Sequence, residues 1–136
     1  MNFIKNNFIS IFIGTILISI IIYAKNKNSE RNLYLNNNIL FTVCETIGYD
    51  SPGRVTPSIE YIFYFEKSKF ESEDFYDLDF SKVKKEDLKS YVGKKYFVKF
   101  SVEKPQYSEI YLDKPVPLDF VYKEGQTWKK IPVNYN

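Results

Sequence analysis

Histidine is absent from this sequence, and cysteine occurs once, at Cys44. Without imidazole there is no His-based triad, no imidazole acid–base catalysis near neutral pH and no His-ligated metal. One thiol excludes an intramolecular disulfide and a Cys-cluster zinc site. Cys44 lies in an apolar, alternating stretch beside Glu45, which has the wrong sign of charge to activate a thiolate. It therefore reads as a small buried hydrophobe. Glycine-rich phosphate loops are missing, and no serine or threonine has a nucleophile-elbow setting. Net charge is scarce too: +2, from 19 basic and 17 acidic side chains, too balanced for the footprint of a nucleic-acid binder. The expectation is a non-enzymatic protein with no cofactor, no metal and no nucleic-acid partner.

What the sequence does have begins with a long hydrophobic run. From Asn6 to Ala24 no side chain is charged, and from Phe8 onward nearly every residue is apolar. At about 1.5 Å per residue such a helix spans roughly the ~30 Å hydrocarbon core of a bilayer. Phe8, Ile11, Gly14, Leu17 and Ile20 mark the run, and Tyr23 stands where an interfacial aromatic is favoured. A helix buried in a soluble domain would show a polar stripe, and none is present. Residues 1–25 are expected to form a single-pass anchor in the cytoplasmic membrane. A cleaved signal peptide is the competing reading, but only Ile22-Tyr23-Ala24 approaches a cleavage site, and no cysteine follows for lipid attachment. Lys5 flanks one end and Lys25, Lys27 and Arg31, offset by Glu30, flank the other. Basic residues alone lean toward a cytosolic domain by one charge, which leaves both orientations open.

Residues 26–38 are polar and Asn-rich and read as a tether; residues 39–136 read as one β domain. Ile39 to Ile47 is β-branched and aromatic, with a strong turn at Asp50-Ser51-Pro52-Gly53 after it. Ser58 to Glu66 alternates, with Ile59, Tyr61, Phe63 and Phe65 on the expected core face. Lys67-Ser68 is placed to close a hairpin into Lys69 to Asp74. Ser81 or Lys84 to Tyr91 suits one or two helical turns, stopped by Gly93. Lys95 to Val102 places Tyr96, Val98, Phe100 and Val102 inward, and Glu109 to Leu112 is a last short strand. After Asp113 a proline-rich tail offers Leu118, Phe120, Val121, Trp128 and Ile131 for packing. The fold class expected is mainly β: an N-terminal transmembrane helix, then a small antiparallel barrel or sandwich of about five strands with one short helical turn.

Candidate sites are few. Asp77-Leu78-Asp79-Phe80-Ser81 starts like a calcium loop, but Lys82 replaces the required glycine and Leu88 the required glutamate. The carboxylates Glu71, Glu73, Asp74, Asp77 and Asp79 lie in a charged connection without the apolar pocket that would raise one pKa. Aromatics of the second strand read mainly as core. Ile62 and Tyr64, on its opposite face, are not explained that way, and with Trp128 they form the candidate partner surface.

The pattern S-x-E-Y-x-F-x-F from Ser58 to Phe65, followed by VGKKYFVKFSVEKPQYSEIYL from Val92 to Leu112, resembles small membrane-anchored β domains of unknown function found widely in bacteria. Gly93, Val98, Phe100 and Pro105 carry the likeness, in a G-x-x-Y-x-V-x-F then P-x-x-S-x-I order. The chain departs from that family in its proline-rich tail and in lacking a second hydrophobic span. The resemblance implies a small β domain at a membrane, most often outside the cytosol, and carries over no catalytic residue. Two functions remain open: a binding or envelope-associated module, and an accessory or immunity-type protein acting at the cytosolic face.

Overall fold

The computed structural model describes residues 2–50, 58–75 and 89–134, with side chains over 11–49, 58–74 and 89–134. Residues 51–53 of the turn expected at 50–53, the acidic pair Asp77 and Asp79 and most of the expected helical turn lie outside the described residues. The elements are α1 (Asn2–Asn36), β1 (Ile39–Asp50), β2 (Ser58–Phe65), β3 (Ser68–Phe75), β4 (Lys95–Ser101) and β5 (Ser108–Pro115). They fall into two compact units, residues 1–33 and 34–136.

In the first unit, α1 carries one stretch, Ile11–Asn36, long and apolar enough to cross a membrane. Ile11, Leu17, Ile20 and Tyr23 are all exposed along it. Its few polar side chains are satisfied internally: the Thr15 and Ser19 hydroxyls donate to the carbonyls of Phe12 and Thr15, each at 2.8 Å. Phe8 lies on the same helix. The helix does not stop at Lys25 but continues to Asn36, so most of the polar tether is helical. Once a helix is nucleated, each further residue adds a hydrogen bond, and the Asn-rich sequence is extended on that account.

The second unit is a five-stranded antiparallel sheet in the order β3-β2-β1-β4-β5. β1 is the spine: its first half pairs with β4 (Thr42↔Val98, Cys44↔Tyr96) and its second half with β2 (Cys44↔Phe63, Thr46↔Tyr61). A bulge between Thr46 and Gly48 leaves Ile47 as the extra residue and bends β1 between those partners. One sheet face holds the core, formed by Cys44, Ile59, Tyr61, Phe63, Tyr96, Val98 and Phe100. Phe63 and Phe65 approach Phe100 at 5.2 and 4.9 Å between ring centroids, and Phe70 of β3 meets Phe63 at 5.5 Å. Backbone pairing does not close the sheet. Its edge strands are linked by side chains instead: Ser108 Oγ donates to Ser72 Oγ at 3.0 Å, and Ile110 N–H donates to Asp74 Oδ2 at 3.1 Å.

Alternation correctly assigns Tyr96, Val98 and Phe100 inward, whereas Val102 lies beyond the end of β4 and is only half-buried. Gly93 ends its turn with φ +75° and donates its N–H to the Thr46 carbonyl at 2.8 Å. The β2–β3 hairpin turns through Glu66 and Lys67 with φ of 49° and 65°, conformations that favour Asn-Gly. Replacing Glu66-Lys67 by Asn-Gly is therefore expected to stabilise the domain by about 1–2 kcal/mol, read as an upward shift in the denaturant midpoint. An unchanged midpoint would show that the turn is not strained.

Candidate functional site

Over β1 and β4 the sheet face opposite the core is not left to solvent, because the chain after β5 crosses it. Val116 N–H continues the β5 pairing by donating to the Lys95 carbonyl at 2.9 Å. Phe120 then packs edge-on against Phe97 of β4 at 5.8 Å. Further on, Trp128 meets Phe97 at 6.2 Å and Phe120 at 5.7 Å. Beside β1, where β2 no longer pairs with it, Trp128 and Phe41 exchange two backbone hydrogen bonds of 2.8 and 2.9 Å. Thr42 Oγ1 adds a bond to the Gln126 carbonyl at 2.8 Å. The tail is thus a strap fixed at both ends, and Phe97 beneath it is fully buried.

Between its fixed points the strap stands off the sheet. The cleft so formed, of about 350 Å³, is lined by Val43, Cys44, Glu45, Ile62, Tyr64 and Lys95 from the sheet, and by Phe120 to Tyr122, Glu124 and Gly125 from the strap. Gly125 has φ +73°, and its Cα faces Tyr64, with the Tyr64 carbonyl 3.7 Å from where a Cβ would stand. Its freedom at positive φ turns the strap back toward β1. Glu45 and Lys95 are cross-strand neighbours on this face. The Lys95 ammonium sits 5.5 Å from the Tyr122 ring centroid, and its hydrogen bond to Tyr122 holds its pKa above the ordinary lysine value. Below, toward β5, Lys99 and Glu109 form an ion pair at 3.0 Å. Burial alone would lower the Lys99 pKa, but the Glu109 bond and charge outweigh it and the net direction is upward.

Of the candidate surface residues, Ile62 and Tyr64 are brought together in this cleft. Trp128 is not among its lining; it is half-buried and pins the strap. Leu118 and Val121, offered by the sequence for packing, are instead exposed. Sequence reasoning missed Phe97, Tyr122 and Gly125. Phe97 is the wrong parity for the core, and only the run of aromatic residues in the tail hinted at a cover for it.

The core contributes no reactive group to the cleft. Cys44 is 1% exposed, and burial pushes its thiol pKa well up, against hydrogen bonding from the backbone. Tyr61 is likewise pushed up by burial and by the Asp74 charge, and its hydroxyl is held 2.8 Å from Ser108 Oγ. Neither group ionises near neutral pH, so neither serves as a nucleophile or base there. Among the described residues no group of His, Cys, Asp and Glu side chains is placed to hold a metal ion. No family model, curated protein or solved structure matches the chain.

Proposed function

We propose that this is a single-pass membrane protein whose β domain is a non-enzymatic binding module of the cell envelope, taking a segment of a partner protein in the cleft between β2 and the strap. The cleft itself carries the reading. It presents Ile62, Tyr64 and Tyr122 for apolar and aromatic contact, with Glu45, Lys95 and Glu124 as charged neighbours. Tyrosine-rich patches with a charged rim are characteristic of protein-binding surfaces.

The connectivity supports reading the sheet as a partly open barrel. Followed through the side-chain links between its edges, the ring order is β1-β2-β3-β5-β4, the Greek-key order of the OB-fold. That fold takes oligonucleotides or oligosaccharides on the outer face of β2 and β3 and the adjoining loops. Here the same face carries Glu60, Glu71 and Glu73 against Lys69, which repels a phosphate backbone and favours a protein partner.

A photo-crosslinking residue at Ile62 of the full chain in its native membrane is expected to yield a discrete adduct, and Tyr64→Ala to reduce it several-fold. The same Tyr64→Ala change is expected to cost the fold about 1 kcal/mol or less. An adduct indifferent to Tyr64→Ala, or none, would overturn the reading. The family resemblance supports an extracytoplasmic domain, while Lys25, Lys27 and Arg31 support the cytosolic accessory role. Protease digestion of the domain in intact spheroplasts separates the two.

A further inference from the structure

We infer that the loop Pro117–Val121 is a lipid-docking element, which seats Leu118 and Val121 in the interface of the bilayer that α1 spans. The inference rests on the membrane-spanning reading of α1 and adds a second contact with the same membrane.

Leu118 and Val121 are 108% and 92% exposed, the most exposed large apolar side chains among the described residues. Their exposure is built rather than frayed. Phe120, between them in sequence, is turned the other way and locked against Phe97 and Trp128. The Phe120 N–H closes the turn on the Pro117 carbonyl at 3.1 Å. Pro117 and Val121 line a shallow hollow together with Pro132 and Val133. An aliphatic pair held outward on a turn fixed by Phe120 gains nothing from water and gains the transfer free energy from an acyl-chain boundary.

Three features select a lipid surface as the occupant. The chain supplies a membrane: α1 carries the apolar run, and only residues 37 and 38 separate its end from β1, so the domain is joined to the bilayer-spanning helix by a short connection. Lys114, Lys123, Lys129 and Lys130 stand along the tail against Asp113, Asp119 and Glu124, a small basic excess that suits an anionic headgroup layer. The exposed pair is also aliphatic, with Phe120 turned inward, and so lacks the outward aromatic anchor of a protein-binding hot spot.

The test uses the full chain reconstituted in phosphatidylcholine vesicles with roughly one third anionic lipid. Because Cys44 is buried, a polarity-sensitive dye can be placed selectively at Leu118→Cys, Val121→Cys or, as reference, Glu66→Cys. Flotation with the vesicles reports the α1 anchor separately. The expected result is flotation of all three, with doxyl groups high on the lipid acyl chains quenching the dye at positions 118 and 121 several-fold more than at 66. Equal quenching at the three positions in floated protein overturns the docking loop while leaving the anchor. Quenching lost on dilution with empty vesicles assigns the patch to a second copy of the chain and overturns it as well. Failure to float overturns both the anchor and the docking loop.

Discussion

Phe97→Ala is expected to destabilise the β domain by about 3–5 kcal/mol, the usual range for truncating a fully buried phenylalanine. The expectation follows from the strap rather than the core. Phe97 belongs to the outer face of β4, where Lys95 and Lys99 are its neighbours two positions away. It is nevertheless completely shielded, because Phe120 and Trp128 close over it in edge-on and tilted contacts. Removing the ring leaves those two aromatics without the surface that holds them. Trp128 is the chain's one tryptophan, so release of the strap should appear directly as a red shift of its emission. Residues 116–134 should then become the first site of limited proteolysis. Denaturant unfolding of the detergent-solubilised chain measures the stability change. A loss under about 1 kcal/mol with unchanged tryptophan emission would mean that the strap does not cover the sheet and that the cleft beside it is not a fixed feature.

Raising the pH from 8 to 11 is expected to remove about 4 kcal/mol of stability through two buried acids, Cys44 and Tyr61. Both are neutral in the fold, and burial holds each pKa above its ordinary value of 9.0 and 10.0 respectively. In the unfolded chain they ionise at those ordinary values. Below pH 9 both states bind the same protons, and stability from this source is complete. Above pH 9 the unfolded state loses the Cys44 proton first and, above pH 10, the Tyr61 proton, while the folded state keeps both. Unfolding therefore becomes progressively easier as pH rises. Cys44→Ala should remove the fall between pH 9 and 10 and about halve the slope above 10, whereas Tyr61→Phe should leave the first part unchanged and about halve the second. Slopes unchanged by both substitutions would show that these groups ionise as readily in the fold as in the unfolded chain.

Much of this architecture is legible from residue order alone. The uncharged run from Asn6 to Ala24 determines an apolar helix, since its composition leaves no polar face to bury against water. Strict alternation in β2 and β4 determines which side chains share a face, because the pleat has period two whatever surrounds it. Thus Ile59, Tyr61 and Phe63 of β2 and Tyr96, Val98 and Phe100 of β4 are core in the sequence and core in the fold. Gly93 is readable for a similar local reason, as a residue that tolerates positive φ at the end of a turn.

Alternation has no term for what lies above a face, and tertiary structure alone decided that. Parity puts Phe97 and Val43 on the side away from the core, and only the returning tail makes that side a second apolar layer. The same return decides that Trp128 is a clasp rather than a free contact, that Ile62 and Tyr64 line a cleft, and that Leu118 and Val121 face outward. The edge links Ser72–Ser108 and Asp74–Ile110 join residues 36 positions apart. No local propensity encodes such pairs. They form because the bulged β1 curls the sheet until its two edges meet, an outcome of packing over the whole domain rather than of any one segment.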